Sequence, residues 1–174
     1  YIEFLFVSKE FNITPEITLV DFEIPFDRKP TLATELSDGV LQLNIGKFAD
    51  KRLEGNEEDI AEEIHVKQNG AGKVLVWAPN LNVQESEAQE YDVSSRIIVL
   101  GGDGDDIIDL SLVTDANVAF EVEGGTGNDL IKLGAGRGVV KAGEGDDVIE
   151  GSEQDDVLYG EGGADRILGK GGND

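Results

Sequence analysis

The chain has 174 residues, 39% of them apolar, and 37 acidic side chains against 14 basic ones leave a net charge of −23. No basic cluster exists that could follow a phosphate backbone, so the balance speaks against nucleic acid and anionic membrane as partners and for multivalent cations. Cysteine is absent, which removes disulfides and thiolate metal sites such as structural zinc.

Residues 1–38 read as a strand-rich segment. Alternation in Tyr1-Ile2-Glu3-Phe4-Leu5-Phe6-Val7 and again across 17–24 predicts strands, punctuated by Pro15, Pro25 and Pro30, and 29–38 reads as a connection. Five of the seven phenylalanines lie in the first 26 residues, whereas 18 of the 23 glycines lie in 101–174, so the two ends are built differently. No run reaches the roughly 18 to 20 apolar residues of a membrane helix and no signal peptide opens the chain. Methionine is absent, Tyr1 opens inside an apolar run and Asp174 closes inside a repeat; the chain is expected to be a piece of a larger protein.

Residues 39–100 form an irregular, strand-rich lead-in. Strands are predicted over 40–45, 64–67, 73–77 and 96–100, separated by polar turns, with one short helix over 57–63. Either these are irregular coils of a β-solenoid or they make a separate small β-sandwich. The strand at 96–100 runs directly into Gly101-Gly102, as a solenoid would begin.

From Gly101 the chain becomes periodic. GGDGDDIID starts at Gly101, and after a spacer GGTGNDLIK, LGAGRGVVK, AGEGDDVIE, GSEQDDVLY, GEGGADRIL and GKGGND follow in one nine-residue register from Gly124 to Asp174. Positions one to six write a tight turn. Positions seven to nine are a short strand with an aliphatic residue at position eight: Ile108, Ile131, Val140, Ile149, Leu158 and Ile167. Strands so short bury little alone and need stacking. Each turn reverses the chain, so two nonapeptides make one coil and each repeat stacks on the next but one. One column of turns then carries Asp106, Asp129, Asp147 and Asp165. The other carries the ordinary turn 114–117, then Gly138, Asp156 and Asp174.

The pattern G-G-x-G-x-D-x-U-x, with U aliphatic, resembles the RTX, or haemolysin-type, calcium-binding repeats of secreted bacterial proteins. The resemblance implies an all-β fold, a parallel β-roll over 101–174. It also implies calcium sites between stacked turns, where carbonyls of positions two and four and the aspartate of one turn join carbonyls of positions one and three and the aspartate of the next. Three such sets lie in the first column: Gly102, Gly104 and Asp106 with Gly124, Thr126 and Asp129; Gly125, Gly127 and Asp129 with Ala142, Glu144 and Asp147; Gly143, Gly145 and Asp147 with Gly160, Gly162 and Asp165. A fourth pairs Ser152, Gln154 and Asp156 with Gly169, Gly171 and Asp174, where Gln154 departs from glycine. At the fifth position, Gly138 replaces the aspartate and Arg137 adds a positive charge, so that site is expected weak or empty. Oxygen-only coordination suits calcium. Without it the self-repelling acidic array is expected to be loose.

No dinucleotide fingerprint, EF-hand loop or catalytic constellation competes with this reading. GAGRGVV lacks the third glycine of GxGxxG, and counting from Asp103 the sixth loop position is Ile108 where an EF-hand needs glycine. His65, the sole histidine, reads as a surface residue and Trp77 as packing. The outward position-seven aliphatics, Ile107, Leu130, Val139, Val148 and Val157, offer a face for a flanking segment or for self-association. The resemblance thus implies a non-enzymatic calcium-binding structural module of an extracellular or cell-surface adhesin or toxin, exported by a type I system and folding on calcium. The alternative is the carboxy-terminal appendage of a secreted protease, lipase or epimerase.

Overall fold

The computed structural model describes residues 29–51 and 59–174. The strands expected over 1–7 and 17–24 lie outside the described residues.

Thirteen strands are described: β1 (Ala33–Glu35), β2 (Val40–Leu43), β3 (Glu63–Gln68), β4 (Lys73–Trp77), β5 (Gln89–Asp92), β6 (Arg96–Asp103), β7 (Ile107–Leu112), β8 (Ala119–Thr126), β9 (Leu130–Lys132), β10 (Gly138–Glu144), β11 (Val148–Glu150), β12 (Val157–Gly162) and β13 (Arg166–Leu168). They form two sheets, one ordered β1-β2-β6-β8-β10-β12 and the other β13-β11-β9-β7-β3-β4-β5. Within the repeats every neighbouring pair is parallel, and the chain crosses from sheet to sheet at each turn. This is a β-solenoid of about four coils over 96–168. Val139 pairs with Val157 and Val148 with Arg166, so each nonapeptide lies on the next but one.

Alternation explains what fills the solenoid. Along β6, Ile97 and Val99 point inward and are fully buried, while Ile98 and Leu100 lie half-buried on the other face. Phe120, Val122, Val140 and Ala142 continue that wall, and Ile108, Leu110, Ile131, Leu133 and Ile149 supply the opposite one. Each fully buried aliphatic contributes about 1.5–3 kcal/mol relative to an exposed one. The column thins at its last coil, where Leu158 is only partly buried and Ile167 is 45% exposed. β13 has a strand on one side only.

Above the repeats, β2 lies parallel to β6 and β3 parallel to β7, which adds an irregular coil to the stack. Antiparallel strands then close that end: β1 on β2, and β4 and β5 beyond β3. Trp77 is buried there and stacks on the His65 ring, centroids 5.1 Å apart and planes 9° from parallel. His65 is therefore half-covered, held between Glu63 at 2.9 Å and Asp109 at 3.8 Å. Asp109 foremost, then Glu63, raise the imidazole pKa against the opposing effect of burial.

Four expectations need correction. Residues 29–38 are more than a connection, because the Leu32-Ala33 pair is buried and carries β1 into the sheet edge. No helix forms over the described part of 57–63; 59–62 is irregular and Glu63 begins β3, since Ile64 is needed over Ile108. β5 was not anticipated, because Gln89, Glu90, Tyr91 and Asp92 look polar; Tyr91 turns inward and its hydroxyl accepts from Ala33 N at 3.2 Å. Finally, only the second sheet uses three-residue strands throughout the strict repeats. In the first sheet β8, β10 and β12 run on into the glycine turns.

Candidate metal centre

The turns joining β6 to β7, β8 to β9, β10 to β11 and β12 to β13 lie directly over one another. Positions two and four of each take positive φ, 128° at Gly125 and 120° at Gly143. Side chains rarely adopt such angles, and here they have no room either. A Cβ on Gly125 would overlap Gly102 O, and one on Gly143 would overlap Gly125 O. The carbonyls of positions two and four thus face the turn below: Gly104 O meets Gly127, Gly127 O meets Gly145, and Gly145 O meets Gly163. From below, position-one carbonyls face upward, Gly124 O against Gly101 and Ala142 O against Gly124. Position-three carbonyls do the same: Thr126 O, Glu144 O and Gly162 O accept from Gly104 N, Gly127 N and Gly145 N, each at 2.8 Å.

The aspartates complete the column. Asp106 N donates to Asp129 Oδ1 (2.9 Å), Asp129 N to Asp147 Oδ1 (2.8 Å) and Asp147 N to Asp165 Oδ1 (3.1 Å). Asp106, Asp129 and Asp147 are buried, and the Oδ2 of each has no hydrogen-bond partner. Unpaired buried anionic oxygens are costly in an otherwise satisfied fold. These oxygens also meet carbonyls: Asp106 Oδ2 and Gly124 O flank the same point beside Gly101, and Asp129 Oδ2 and Ala142 O do so beside Gly124. Asp165 Oδ2 turns back on Gly160 in the same way. Convergent oxygens without a donor between them fit a hard cation. Among the described residues no three His, Cys, Asp or Glu side chains gather as a metal cluster, so backbone carbonyls must supply much of the coordination. That donor set suits calcium.

The second column is different. In its upper turn the Leu133 side chain occupies the space that a Cβ on Gly138 would enter, so hydrocarbon fills the place of the missing carboxylate. Arg137 is exposed. Gly138 N donates to Asp156 Oδ1 (2.6 Å), while Ser152 N donates to Asp156 Oδ2 (2.6 Å) and Ser152 Oγ to Oδ1 (3.1 Å). Asp156 therefore has donors on both oxygens, unlike the three buried aspartates of the first column. Asp156 N donates to Asp174 Oδ1 (2.9 Å), Gly171 N to Ser152 O (3.1 Å), and Gln154 O lies against Gly172. Neither Ser152 nor Gln154 has positive φ, and Gln154 N donates to Ser152 Oγ (3.0 Å). Gln154 thus stands in the turn without the positive φ that glycine takes at Gly145 and Gly163. Gly169, whose Cβ would overlap Asp174 Oδ2, keeps the arrangement seen at Gly160.

Position five forms a ladder that the motif reading passed over. Asp105 Oδ1 accepts from Asn128 N (2.7 Å), Asn128 Oδ1 from Asp146 N (2.8 Å) and Asp146 Oδ1 from Ala164 N (2.8 Å). Asp155 Oδ1 likewise accepts from Asn173 N (2.9 Å). The signal was present in the Asp or Asn at five of these positions.

Burial raises the Asp106 carboxyl to about 8 and the Asp129 carboxyl to about 6, with neighbouring carboxylates adding to each; Asp147 shifts upward for the same reasons. Folded groups that hold protons more tightly than unfolded ones stabilise the metal-free fold below about pH 4. That contribution is lost as pH rises through about 6 and then about 8. Calcium needs the ionised forms and must displace these protons. In chelator the residual β signal is expected to be stronger at pH 5 than at pH 8, whereas in saturating calcium the melting temperature is expected to be higher at pH 8 than at pH 5. Circular dichroism and thermal melts at the two pH values check both signs.

Residues 98–115, 121–140 and 142–174 match the family model described as the RTX calcium-binding nonapeptide repeat, in four copies. No curated protein matches the chain, and no solved structure does.

Proposed function

Because residues 98–174 are an array of RTX calcium-binding nonapeptide repeats, we propose that the chain is a calcium-folded structural module of a secreted or surface-attached bacterial protein of the adhesin or toxin kind. The observation that carries this reading is the row of buried Oδ2 atoms without a hydrogen-bond partner on Asp106, Asp129 and Asp147, the first two lying beside the Gly124 and Ala142 carbonyls. An ion held between turns supplies charge neutralisation there. The chain's own residues do the rest: glycine turns aim the carbonyls, Oδ1 atoms fix the turns to one another, and the aliphatic column holds the spacing.

A net charge of −23 opposes compaction where calcium is scarce, and millimolar extracellular calcium matches the affinity range of such modules. Residence outside the cell follows from that coupling. Catalysis is not part of the reading. The sole histidine is stacked on Trp77, and the Ser111 Oγ donates to Asp109 Oδ1 (2.6 Å). Val139 and Val157, each 44% exposed, are the face against which a flanking segment or a second copy would pack.

Circular dichroism tests the reading directly. Several millimolar calcium is expected to produce a β spectrum that excess chelator abolishes over the repeat region. An identical folded spectrum under both conditions would sink it.

A further inference from the structure

The nonapeptide turns have backbones of two kinds. Positions two and four both take positive φ in every turn of the first column, from Gly102 and Gly104 down to Glu161 and Gly163, and in the last turn of the second, at Lys170 and Gly172. Neither position does so in 133–138 or in 151–156. Residue type does not explain the division. Gly134 and Gly136 could adopt such angles and do not, whereas Glu161 (φ 71°) and Lys170 (φ 75°) adopt them at a cost in strain.

Stacking explains it. The second column is headed by 114–117, an ordinary turn fastened by Asn117 N donating to Asp115 Oδ1 (3.0 Å). Ala135 N donates to Val113 O (2.8 Å), and a Cβ on Gly136 would overlap Val118 O, so 133–138 is laid closely against that end and takes a form that fits it. The next turn follows, tied by Gly138 N donating to Asp156 Oδ1 (2.6 Å).

In this form a turn supplies its own donor. Ser152 N donates to Asp156 Oδ2 at 2.6 Å, and Oδ2 is the atom that on Asp106, Asp129 and Asp147 has no partner. Asp156 is 2% exposed, as buried as those three, yet both its oxygens are satisfied. Gly169 O still faces Asp156 Oδ2 beside Gly151, as Gly124 O faces Asp106 Oδ2 beside Gly101, so the lower half of a site is present. The upper half is not. An amide hydrogen already points at Asp156 Oδ2, and its positive end opposes a cation at that oxygen. The position-four N–H is redirected too: Gln154 N donates to Ser152 Oγ within its own turn (3.0 Å), where Gly145 N reaches down to Gly162 O. One interval higher, Leu133 fills the space beside Gly138 with hydrocarbon.

We infer that calcium is confined to one rim of the solenoid: the three intervals between Asp106 and Asp165 hold it, and the opposite rim, from 133–138 down to Asp174, is closed without metal by the chain's own donors. The Ser152 N–H stands there in the ion's place, and the fourth set of ligands that the resemblance implies, on Asp156 and Asp174, does not assemble. The inference rests on the calcium reading of the repeats, and the experiment separates the two. Ions bound by the full chain are counted by native mass spectrometry and equilibrium dialysis for the wild type and for D147N, D156N and D174N.

The wild type is expected to hold three ions, and D147N, which alters the carboxylate shared by two intervals, is expected to lose two of them. D156N and D174N are expected to keep all three with unchanged affinities. Four ions in the wild type, with one lost in D156N or in D174N, would overturn the inference. If D156N does not fold, D174N decides, since Asp174 is exposed and its loss leaves the core untouched. A wild type that binds no calcium overturns the repeat reading first and this one with it.

Discussion

Asp129→Ala is expected to remove two calcium ions and to raise the calcium concentration that folds the array about a hundredfold. The figure is a tenfold loss at each of two sites, with each tenfold worth about 1.4 kcal/mol. Asp129 is chosen because it faces both ways: its Oδ1 is on the Asp106 side, accepting from Asp106 N, and its Oδ2 lies with Ala142 O on the other. Asp165 is the contrast. It is the last aspartate of this column among the described residues and faces one described neighbouring turn, so Asp165→Ala in this chain is expected to lose one ion. Asp129→Asn keeps the acceptor for Asp106 N and removes only the charge, and so separates coordination from the hydrogen-bond ladder. Calcium titrations followed by calorimetry read the ion counts directly. Equal losses at Asp129 and Asp165 would refute the bridging role.

Gly143→Ala is expected to destabilise the calcium-loaded chain by about 3 kcal/mol or more, with calcium unable to restore it. Two costs add. The backbone stands at φ 120°, a region in which a side chain is strained by roughly 1–3 kcal/mol, and the new Cβ overlaps Gly125 O. The clash falls on a carbonyl of the column, so relief by moving it spoils the ligand geometry. Gly70→Ala separates the terms. Its φ is 89°, yet a Cβ there meets nothing within 4 Å, so only the backbone cost of about 1 kcal/mol is expected. Urea unfolding in saturating calcium measures both. A Gly143→Ala loss no larger than that of Gly70→Ala would show that the stacked turns give way freely.

The repeats were legible because glycine, aspartate and an aliphatic residue recur in a register that has only one stacking solution. The 23-residue step from Asp106 to Asp129 and the 18-residue steps after it appear in the hydrogen bonds of the column. The lead-in was less legible, since β5 buries one face of a polar tetrapeptide and 59–62, without a glycine, still stacks on the first repeat, Asp59 Oδ1 accepting from Asp103 N and Asp106 Oδ1 from Glu62 N. Periodicity reports backbone demands; it is silent where a side chain meets them. The same limit applies in the second column. Gly138 announces a missing ligand, but only packing shows that Leu133 fills the gap and that Ser152 satisfies Asp156.

The parallel stack also determines reach. Each 18-residue coil advances the solenoid axis by one sheet spacing, about 4.8 Å, whereas 18 residues pulled straight span about 60 Å. If the array folds on calcium as proposed, a chain pulled taut would shorten roughly twelvefold along its axis as the coils close. Anything attached at its far end would be drawn in by tens of ångströms.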